Sequence, residues 1–370
     1  MKAKVCTRDF SRMLSLASSV APRKPVVPAL AMARLEVISD GGRTSLHVQA
    51  TDTELAVATS IPCEQAEAGS CAVPAHLLSE IARAVSDEEI TLALKKQTLQ
   101  ISCADGSFKT VQGTESDFPA FPEIKAQSTV VLPHKDLMEM IRLVSFAVST
   151  DAVRYALTGV LIELENGECN VVASDGRRLA WASRKLEADA GKVKVIVPPR
   201  VLDLAGQLFD PEAMLIVSIA ESAVSITDGT STIHSRVVEG SFPDYRAVLP
   251  KEKILTNKVK LSAGTLRESL RRVSLMSSDR APAVKFTLGK DKLVLSSRCA
   301  DLGEGEETIE ADCDAEDFSI VFNPRYLLDY LKASPGEDVE IGCSTHDSAA
   351  RITTGSNGHV YVLMPLAVEV

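Results

Sequence analysis

The chain has 370 residues, of which 45% are hydrophobic, and its formal net charge is −10. This length is typical of two or three domains with ordinary packed cores. The acidic balance argues weakly against a nucleic-acid partner, although the distribution of charge decides more than its sum. No run approaches the ~18 apolar residues of a membrane span. We therefore expect a soluble, cytoplasmic protein that does not enter a membrane.

Six helices are predicted from apolar residues at helical spacing, as in Leu137, Ile141 and Val144. In chain order they cover residues 9–19, 74–85, 134–148, 199–208, 262–276 and 324–332. Alternating segments between them predict short strands, as in residues 192–197. The order helix, strands, helix, strands occurs three times. The sequence therefore predicts an α+β class, with two helices packed on antiparallel sheets in each repeat.

One strand-to-helix segment recurs in each repeat, at residues 73–78, 197–202 and 322–327. The starting points differ by 124 residues (197 − 73) and by 125 residues (322 − 197). A unit of that size can be a complete domain, unlike the repeats of ~20–50 residues that depend on their neighbours. We therefore predict three related domains, at residues 1–125, 128–251 and 253–370. Triplication of whole domains favours a geometric role, such as an arc or a ring, over chemistry.

Motifs of catalysis are scarce in this chain. The eight cysteines form no C-x-x-C pair, the six histidines are scattered, and no Walker-type phosphate loop or G-x-S-x-G motif occurs. We therefore expect reduced thiols and no metal, cofactor or catalytic residue. Asp175, in segment 174–179, could be a catalytic acid, but a carboxylate in such a loop is more typical of a turn cap. Asp52 occupies the related position in the first repeat and supports the structural role.

Several short segments, each weak alone, carry a family resemblance. They are Val-Arg-Tyr-Ala-Leu-Thr-Gly at 153–159, Ser-Asp-Gly-Arg-Arg-Leu-Ala at 174–180, Phe-Pro-Asp-Tyr-Arg at 242–246, Phe-Asn at 322–323 and Val-Leu-Met-Pro-Leu at 362–366. In this order on a triplicated chain, they resemble the bacterial DNA polymerase III β subunits, the sliding clamp family. The resemblance covers the whole chain and implies clamp-type domains in a head-to-tail homodimer that forms a six-domain ring.

The resemblance implies a processivity factor rather than an enzyme. Such a ring encircles double-stranded DNA independently of sequence, with its helices around the hole. The implied protein partners are the DNA polymerase III α subunit, the clamp loader, and other polymerases and repair proteins that carry short linear motifs. Contacts to phosphates rather than bases are what sliding requires, because base readout would stop the ring at particular sites.

DNA contacts are implied by the resemblance at five positions. They are Lys24, Arg83, Arg154, Tyr155 and Arg200. Ala156 stands where a second tyrosine is frequent in the family, which removes one aromatic contact. Basic residues recur at matching helix positions, as in Arg142 and Arg271. Such recurrence agrees with a positive lining if the domains close into a ring.

The resemblance also implies a groove for short peptides, whose apolar anchors require a preformed pocket. Its implied residues are Leu157, Ser174, Gly176, Arg177, Arg178, Leu179, Pro243, Arg246, Val248, Asn323, Tyr326, Val362, Met364, Pro365 and Leu366. The alternative is that Leu157, Leu179 and Val362 are core residues. Departures from the common pattern affect partner preference: they are Arg177 for a frequent His, Ala247 and Ala367 for a frequent Arg, and Ala281 for a frequent Phe.

For the dimer contact, the resemblance implies that an edge of the first domain meets an edge of the third. The implied residues are Phe108, Leu275, Met276, Glu304 and Glu307. Lys109 lies on the opposing edge, but Ser107 stands where an arginine is frequent, so we expect weaker electrostatic closure.

Two other functions stay open at this point. A triplicated cytoplasmic scaffold would bind peptides without encircling DNA, and a hydrolase would use Asp175 as its acid. Retention on circular DNA, with loss after linearisation, separates the ring from the scaffold. Turnover that a change at Asp175 abolishes would indicate the hydrolase.

Overall fold

The computed structural model describes residues 1–40, 42–187, 191–315, 317–334, 336–355 and 358–367. Its α-helices are α1 (Thr7–Val20), α2 (Ala75–Ala84), α3 (His134–Val144), α4 (Pro199–Leu208), α5 (Ala263–Val273) and α6 (Pro324–Ala333). All six predicted helices are confirmed. α3 and α5 are shorter than predicted because each continues into a 3-10 turn, at Ser145–Ala147 and Ser274–Met276 respectively. Further 3-10 turns are Pro28–Ala31, Glu115–Asp117, Ala152–Leu157, Tyr245–Val248 and Glu252–Ile254.

The strands are short and follow one another in runs between the helices. In chain order they are β1 (Lys2–Cys6), β2 (Met32–Asp40), β3 (Arg43–Thr51), β4 (Leu55–Pro62), β5 (Glu64–Glu67), β6 (Gly69–Pro74), β7 (Glu89–Lys95), β8 (Thr98–Ser102), β9 (Ser107–Val111), β10 (Ser128–Pro133), β11 (Val160–Glu165), β12 (Glu168–Ser174), β13 (Arg178–Lys185), β14 (Val193–Val197), β15 (Met214–Ile219), β16 (Ala223–Thr227), β17 (Thr232–Arg236), β18 (Asn257–Ser262), β19 (Val284–Gly289), β20 (Lys292–Cys299), β21 (Gly303–Glu310), β22 (Asp312–Cys313), β23 (Phe318–Phe322), β24 (Asp338–Cys343), β25 (Ala350–Thr353) and β26 (His359–Leu363). The strand predicted at residues 192–197 is observed as β14.

The chain forms two compact units, Met1–Lys135 with Arg200–Val237, and Asp136–Pro199 with Val238–Val370. The first unit holds a five-stranded sheet, β5-β1-β7-β8-β9, and an eight-stranded sheet, β10-β15-β16-β17-β4-β3-β2-β6. The second holds a nine-stranded sheet, β14-β11-β12-β13-β26-β25-β24-β18-β22, and a four-stranded sheet, β21-β20-β19-β23. Neighbouring strands pair antiparallel, as the α+β prediction requires. The boundaries of the three sequence domains stay a prediction.

Each unit buries one apolar face of its helices against a sheet. In α1, Phe10, Leu14 and Ala17 lie four and three residues apart and are buried on the face that packs against β3 and β4. α5 repeats this spacing with Leu266, Leu270 and Val273, which lie against β20 and β21. This is the stripe of an amphipathic helix, which explains why the helices were predictable from sequence. None of the helices within the described ranges combines the length and hydrophobicity that crossing a bilayer requires.

Two strand pairs join segments that are distant in sequence. Within the first unit, β17 pairs with β4, so that Ile233 lies opposite Val57. Within the second unit, β13 pairs with β26, so that Leu179 lies opposite Val362. The pairing of β13 with β26 unites the two halves of the candidate site described below.

Beneath that second strand pair lies a buried aromatic stack. The Tyr330 and Tyr361 rings are parallel, with centroids 4.7 Å apart, and His359 stacks on Tyr330 at 5.4 Å. His359 Nε2 donates to the Leu143 carbonyl at 3.1 Å, which leaves Nδ1 to accept from the Ser334 hydroxyl at 3.3 Å. The imidazole is therefore neutral and satisfied at both nitrogens.

We predict that this histidine weakens the fold as pH falls. Burial, helped by the charges of Arg142 and Arg184, lowers the pKa of His359 to about 4, although the hydrogen bond to Leu143 opposes the change. In the unfolded chain its pKa is about 6.5, so only the unfolded chain gains the proton between these values and stability is lost on acidification. The loss between pH 7.5 and pH 5 should be about 2 kcal/mol.

Urea unfolding at both pH values measures this effect. The His359→Gln variant serves as the comparison, since the glutamine at this position does not titrate. Its stability should change less between the two pH values than that of the unaltered chain, by the same ~2 kcal/mol. An equal change in both proteins would contradict the prediction.

Candidate functional site

A mostly apolar surface cavity of ≈180 Å³ lies in the second unit. It is lined by Leu157, Ser174, Gly176, Arg177, Arg178, Leu179, Phe242, Pro243, Asp244, Tyr245, Val248, Ala349, Val362 and Met364. Ten of the fifteen residues implied for the peptide groove are among them. Phe242, Asp244 and Tyr245 were missed although they flank Pro243 in one quoted segment, and Ala349 gave no sequence signal. The structure therefore brings together most of the implied groove.

The floor of the cavity is the outer part of a hydrophobic core. Leu179 and Val362, which face each other across the β13–β26 pair, belong to one buried cluster with Tyr245 and Val360. Val248 and Met364 form an exposed rim above this floor. The sequence offered two interpretations of Leu179 and Val362, as core residues or as groove residues. They are compatible, since the same side chains belong to the core and form the cavity floor.

A tight turn forms one side of the cavity. The Asp175 carboxylate accepts from the backbone N–H groups of Arg177 and Arg178, at 2.9 and 3.0 Å, as a turn cap does. Gly176 has φ +84°, and a Cβ there would lie 2.0 Å from Arg154 Nη1. Arg154 Nη1 donates to the Asp175 carbonyl at 2.6 Å. The turn therefore requires glycine both for its conformation and for the close approach of Arg154.

The guanidinium of Arg178 ties this turn to two other elements. Its Nε contacts the Asp175 carboxylate at 3.0 Å, Nη1 contacts Asp329 of α6 at 2.7 Å, and Nη2 donates to the Phe146 carbonyl at 2.6 Å. The Tyr326 ring lies 4.3 Å from the guanidinium carbon. Burial acts to lower the pKa of Arg178, but the hydrogen bond to Asp329 and the nearby carboxylates outweigh it and raise the pKa. The planar fork satisfies all three partners at once, which a lysine cannot do.

Five implied groove residues lie outside the lining of this cavity, and their role in the groove stays a prediction. Arg246 turns away from the cavity and pairs with the carboxylates of Glu163 and Glu165. Asn323 caps α6 by accepting from the Arg325 N–H at 3.0 Å, and Tyr326 is covered by Arg178. Pro365 and Leu366 lie beyond the rim, where the Leu366 N–H donates to the Val321 carbonyl at 2.8 Å.

Two implied DNA contacts meet at a polar cavity of ≈520 Å³ in the first unit. Arg83 donates to the Ser15 hydroxyl at 2.9 Å, and Arg200 pairs with Asp52 at 2.7 Å while donating to the Ser19 carbonyl at 2.7 Å. Lys24 is exposed and follows Arg23, which lines the same cavity. Arg200 is thus held within its own unit, whereas Lys24 and Arg83 present their charges to solvent.

The other two implied DNA contacts, Arg154 and Tyr155, belong to the second unit. Both are exposed in the 3-10 segment Ala152–Leu157, although Arg154 already donates to the Asp175 carbonyl. Within the described ranges, no three or more His, Cys, Asp or Glu side chains converge as a metal site would require.

The implied dimer residues lie on two sheet edges. β9 is the last strand of the five-stranded sheet and β21 is the last strand of the four-stranded sheet, so each has one neighbour. Phe108 on β9 is 41% exposed, and Leu275 beside β21 is 70% exposed. Glu304 is exposed on β21, whereas Glu307 is already paired with Arg272 at 2.6 Å in its own chain.

Known proteins resemble this chain over its whole length. Family models of the DNA polymerase III beta subunit match the N-terminal domain at residues 1–122, the central domain at 131–244 and the C-terminal domain at 246–367. A beta sliding clamp of Pseudomonas putida is 31% identical over 360 residues, which cover 95% of this chain and 96% of that protein. A beta sliding clamp of Vibrio cholerae is 29% identical over 325 residues, which cover 87% and 88% of the two chains.

Solved structures agree with the sequence relatives. A DnaN sliding clamp, DNA polymerase III subunit beta, from Pseudomonas aeruginosa bound to griselimycin has a TM-score of 0.94 at 26% identity, and the match covers 100% of both chains. The DNA polymerase III beta subunit of Thermotoga maritima has a TM-score of 0.90 at 28% identity, again over 100% of both chains.

Proposed function

The chain belongs to the DNA polymerase III beta subunit family and is a DNA sliding clamp, a processivity factor; from this premise, we propose how its surfaces divide the work. The apolar cavity binds short peptide segments of replication proteins, the cationic residues contact the DNA backbone, and the two sheet edges join two chains into a ring around duplex DNA. The proposed partners of the cavity are the DNA polymerase III α subunit, the clamp loader, and other polymerases and repair proteins. The proposed location is the cytoplasm, where bacterial DNA is replicated.

The observation that carries the peptide assignment is the cavity itself. An apolar floor of Leu179 and Val362 below an exposed rim of Val248 and Met364 offers a preformed site for large apolar side chains. Burial of one large apolar side chain of the peptide contributes roughly 1.5–3 kcal/mol to the binding free energy. Two such side chains, minus the cost of ordering the peptide, are consistent with micromolar affinity and rapid exchange. The flexible thioether of Met364 suits a site that accepts different partners.

We expect Val248→Asp to weaken binding of a fluorescent Gln-Leu-Ser-Leu-Phe peptide by about tenfold or more, because a carboxylate in an apolar pocket loses its hydration. Fluorescence anisotropy measures the affinity. The matched control is Ile254→Asp, since Ile254 and Val248 are both 54% exposed and Ile254 does not line the cavity. Equal weakening by the two variants would remove the groove assignment.

The charge distribution supports DNA binding despite the net charge of −10. Arg83 and Lys24 are exposed cations beside one polar cavity, and neither forms a salt bridge within the described residues. Cations of this kind contact phosphates without reading bases, and the acidic remainder of the surface repels DNA.

We predict that replacing Lys24 and Arg83 together with Ala makes the salt dependence of duplex binding shallower. Each lost phosphate contact removes ~0.9 from the slope of log K against log salt, so the pair removes about 1.8. Anisotropy of a labelled duplex across a salt titration gives the slope. The control pair is Lys251→Ala with Lys253→Ala, two exposed lysines outside the implied set, for which we expect the slope of the unaltered chain.

Dimer formation is proposed from the two unpaired sheet edges. An edge strand with exposed backbone groups tends to pair with another strand, and here the edges β9 and β21 lie in different units of the same chain. If β9 of each chain meets β21 of the other, two equivalent interfaces close the assembly. Exposed Phe108 and Leu275 would be covered there, and Lys109 would face Glu304.

Leu275→Lys should convert the dimer into monomers, because a charge would replace an apolar side chain at both interfaces. Light scattering after gel filtration should report the mass of a single chain, 39.6 kDa. Met214→Lys is the control, since Met214 is an exposed apolar residue on β15, which belongs to neither of the two sheets with the proposed edges. A Leu275→Lys protein that stays dimeric at low micromolar concentration would show that the interface lies elsewhere.

The other two functions have less support. Both oxygens of Asp175 are engaged, one as a turn cap and the other with Arg178, which disfavours this carboxylate as the acid of a hydrolase. The proposed role is that of a processivity factor without catalysis. A scaffold that binds peptides without encircling DNA would not be retained on circular DNA, and release upon linearisation is the observation that separates it from the ring.

A further inference from the structure

A buried carboxylate lies behind the peptide cavity without lining it. The side chain of Glu163, on β11, is 0% exposed. It accepts a hydrogen bond from the Tyr245 hydroxyl at 2.6 Å and pairs with Arg246 Nη2 at 2.5 Å and with Lys194 Nζ at 2.7 Å. Its two oxygens thus serve three donors from two separate segments of the chain.

These donors keep Glu163 ionised. Burial alone would raise the pKa of this carboxyl, but the hydrogen bonds from Arg246, Lys194 and Tyr245 outweigh burial and lower it to about 2. Glu165 provides a second carboxylate for Arg246, at 3.2 Å, at the edge of the network. An enclosed carboxylate and its hydrogen-bond partners are hard to separate, because the loss of partners would leave a buried charge uncompensated.

Residues 242–248 form one wall of the cavity, and the position of this wall depends on Glu163. Residues 242–248 contain one 3-10 turn, Tyr245–Val248, which Asp244 caps by accepting from the Arg246 N–H at 3.1 Å. Among the described residues, the backbone of 242–248 makes no hydrogen bond to a strand or helix elsewhere in the chain. The segment is instead attached through side chains: Phe242 packs against the core cluster, Tyr245 enters it, and the Arg246 guanidinium lies 4.7 Å from the Tyr245 ring.

We infer that Glu163 is the positioning residue of the peptide cavity: by holding Tyr245 and Arg246 from behind, it sets where Pro243 and Val248 stand above the floor. The inference rests on the proposed peptide-binding function. Glu163 touches no peptide, so its effect on affinity passes through the wall. A wall held by side chains rather than by a backbone ladder can lose its position while the rest of the unit stays folded.

The experiment replaces Glu163 with Gln, which keeps the size of the side chain and removes its charge. Binding of the fluorescent Gln-Leu-Ser-Leu-Phe peptide is followed by stopped-flow and by anisotropy. We expect about fivefold weaker binding or more, mostly through faster dissociation, because the wall no longer stands in the bound position beforehand. Tyr245→Phe, which removes only the hydroxyl, is the second variant and should change binding in the same direction if Glu163→Gln does not fold.

Two controls separate positioning from general loss of stability. Leu164→Ala alters the fully buried neighbour of Glu163 on the opposite face of β11, and we expect a lower melting temperature with unchanged peptide affinity. Lys185→Met alters an exposed lysine of β13 outside the Glu163 network and should change affinity by less than about twofold. The inference is overturned if Glu163→Gln binds the peptide as the unaltered chain does, or if Leu164→Ala weakens binding equally for the same loss of melting temperature.

A spectroscopic readout decides the inference independently of the peptide. The chain has five tyrosines, so 3-fluorotyrosine labelling gives five ¹⁹F resonances, and Tyr245→Phe identifies that of Tyr245. We expect this resonance to shift or broaden in Glu163→Gln and to stay unchanged in Leu164→Ala. An unaltered chain that fails to bind the peptide would refute the proposed function, whereas an unmoved Tyr245 resonance in Glu163→Gln would refute the positioning role.

Discussion

The antiparallel pairing of β13 with β26 is the constraint on which the candidate site depends. Its register places Leu179 opposite Val362 and Arg178 opposite Leu363. A slip of one residue would turn each of these side chains to the other face of the sheet. The ladder continues past the strand end, where the Met364 N–H donates to the Arg177 carbonyl at 2.9 Å. Backbone hydrogen bonds therefore position the floor and the Met364 side of the rim, whereas side chains hold the segment that carries Val248.

Two enclosed charges then shape the cavity from opposite sides. Arg178 joins the turn of Asp175 to α6, and Glu163 holds the wall through Tyr245 and Arg246. Burying a charge costs free energy unless partners replace its hydration, and both groups have such partners. Apolar contact supplies affinity in such a site, whereas the satisfied charges define its geometry.

Much of the fold could be predicted from the sequence, because helix periodicity and the 124-residue recurrence are local or arithmetic signals. The site was harder. Leu179 and Val362 were identified by family resemblance, but only pairing between distant strands shows that they touch. Arg246 was likewise implied for the groove by family resemblance, and only the structure shows that its side chain pairs with Glu163. Glu163 and Ala349 carry no sequence signal, since one strand glutamate or one alanine resembles any other until its neighbours are known.

The long separation of β13 and β26 also has a consequence for synthesis on the ribosome. Leu179 precedes Val362 by 183 residues (362 − 179), so a growing chain has half of the cavity well before it has the other half. At about 5–20 residues per second, the interval is roughly 10–40 s. During that time β13 has an unpaired edge and the candidate cavity lacks the side that β26 supplies. A nascent or prematurely terminated chain thus never presents the complete cavity.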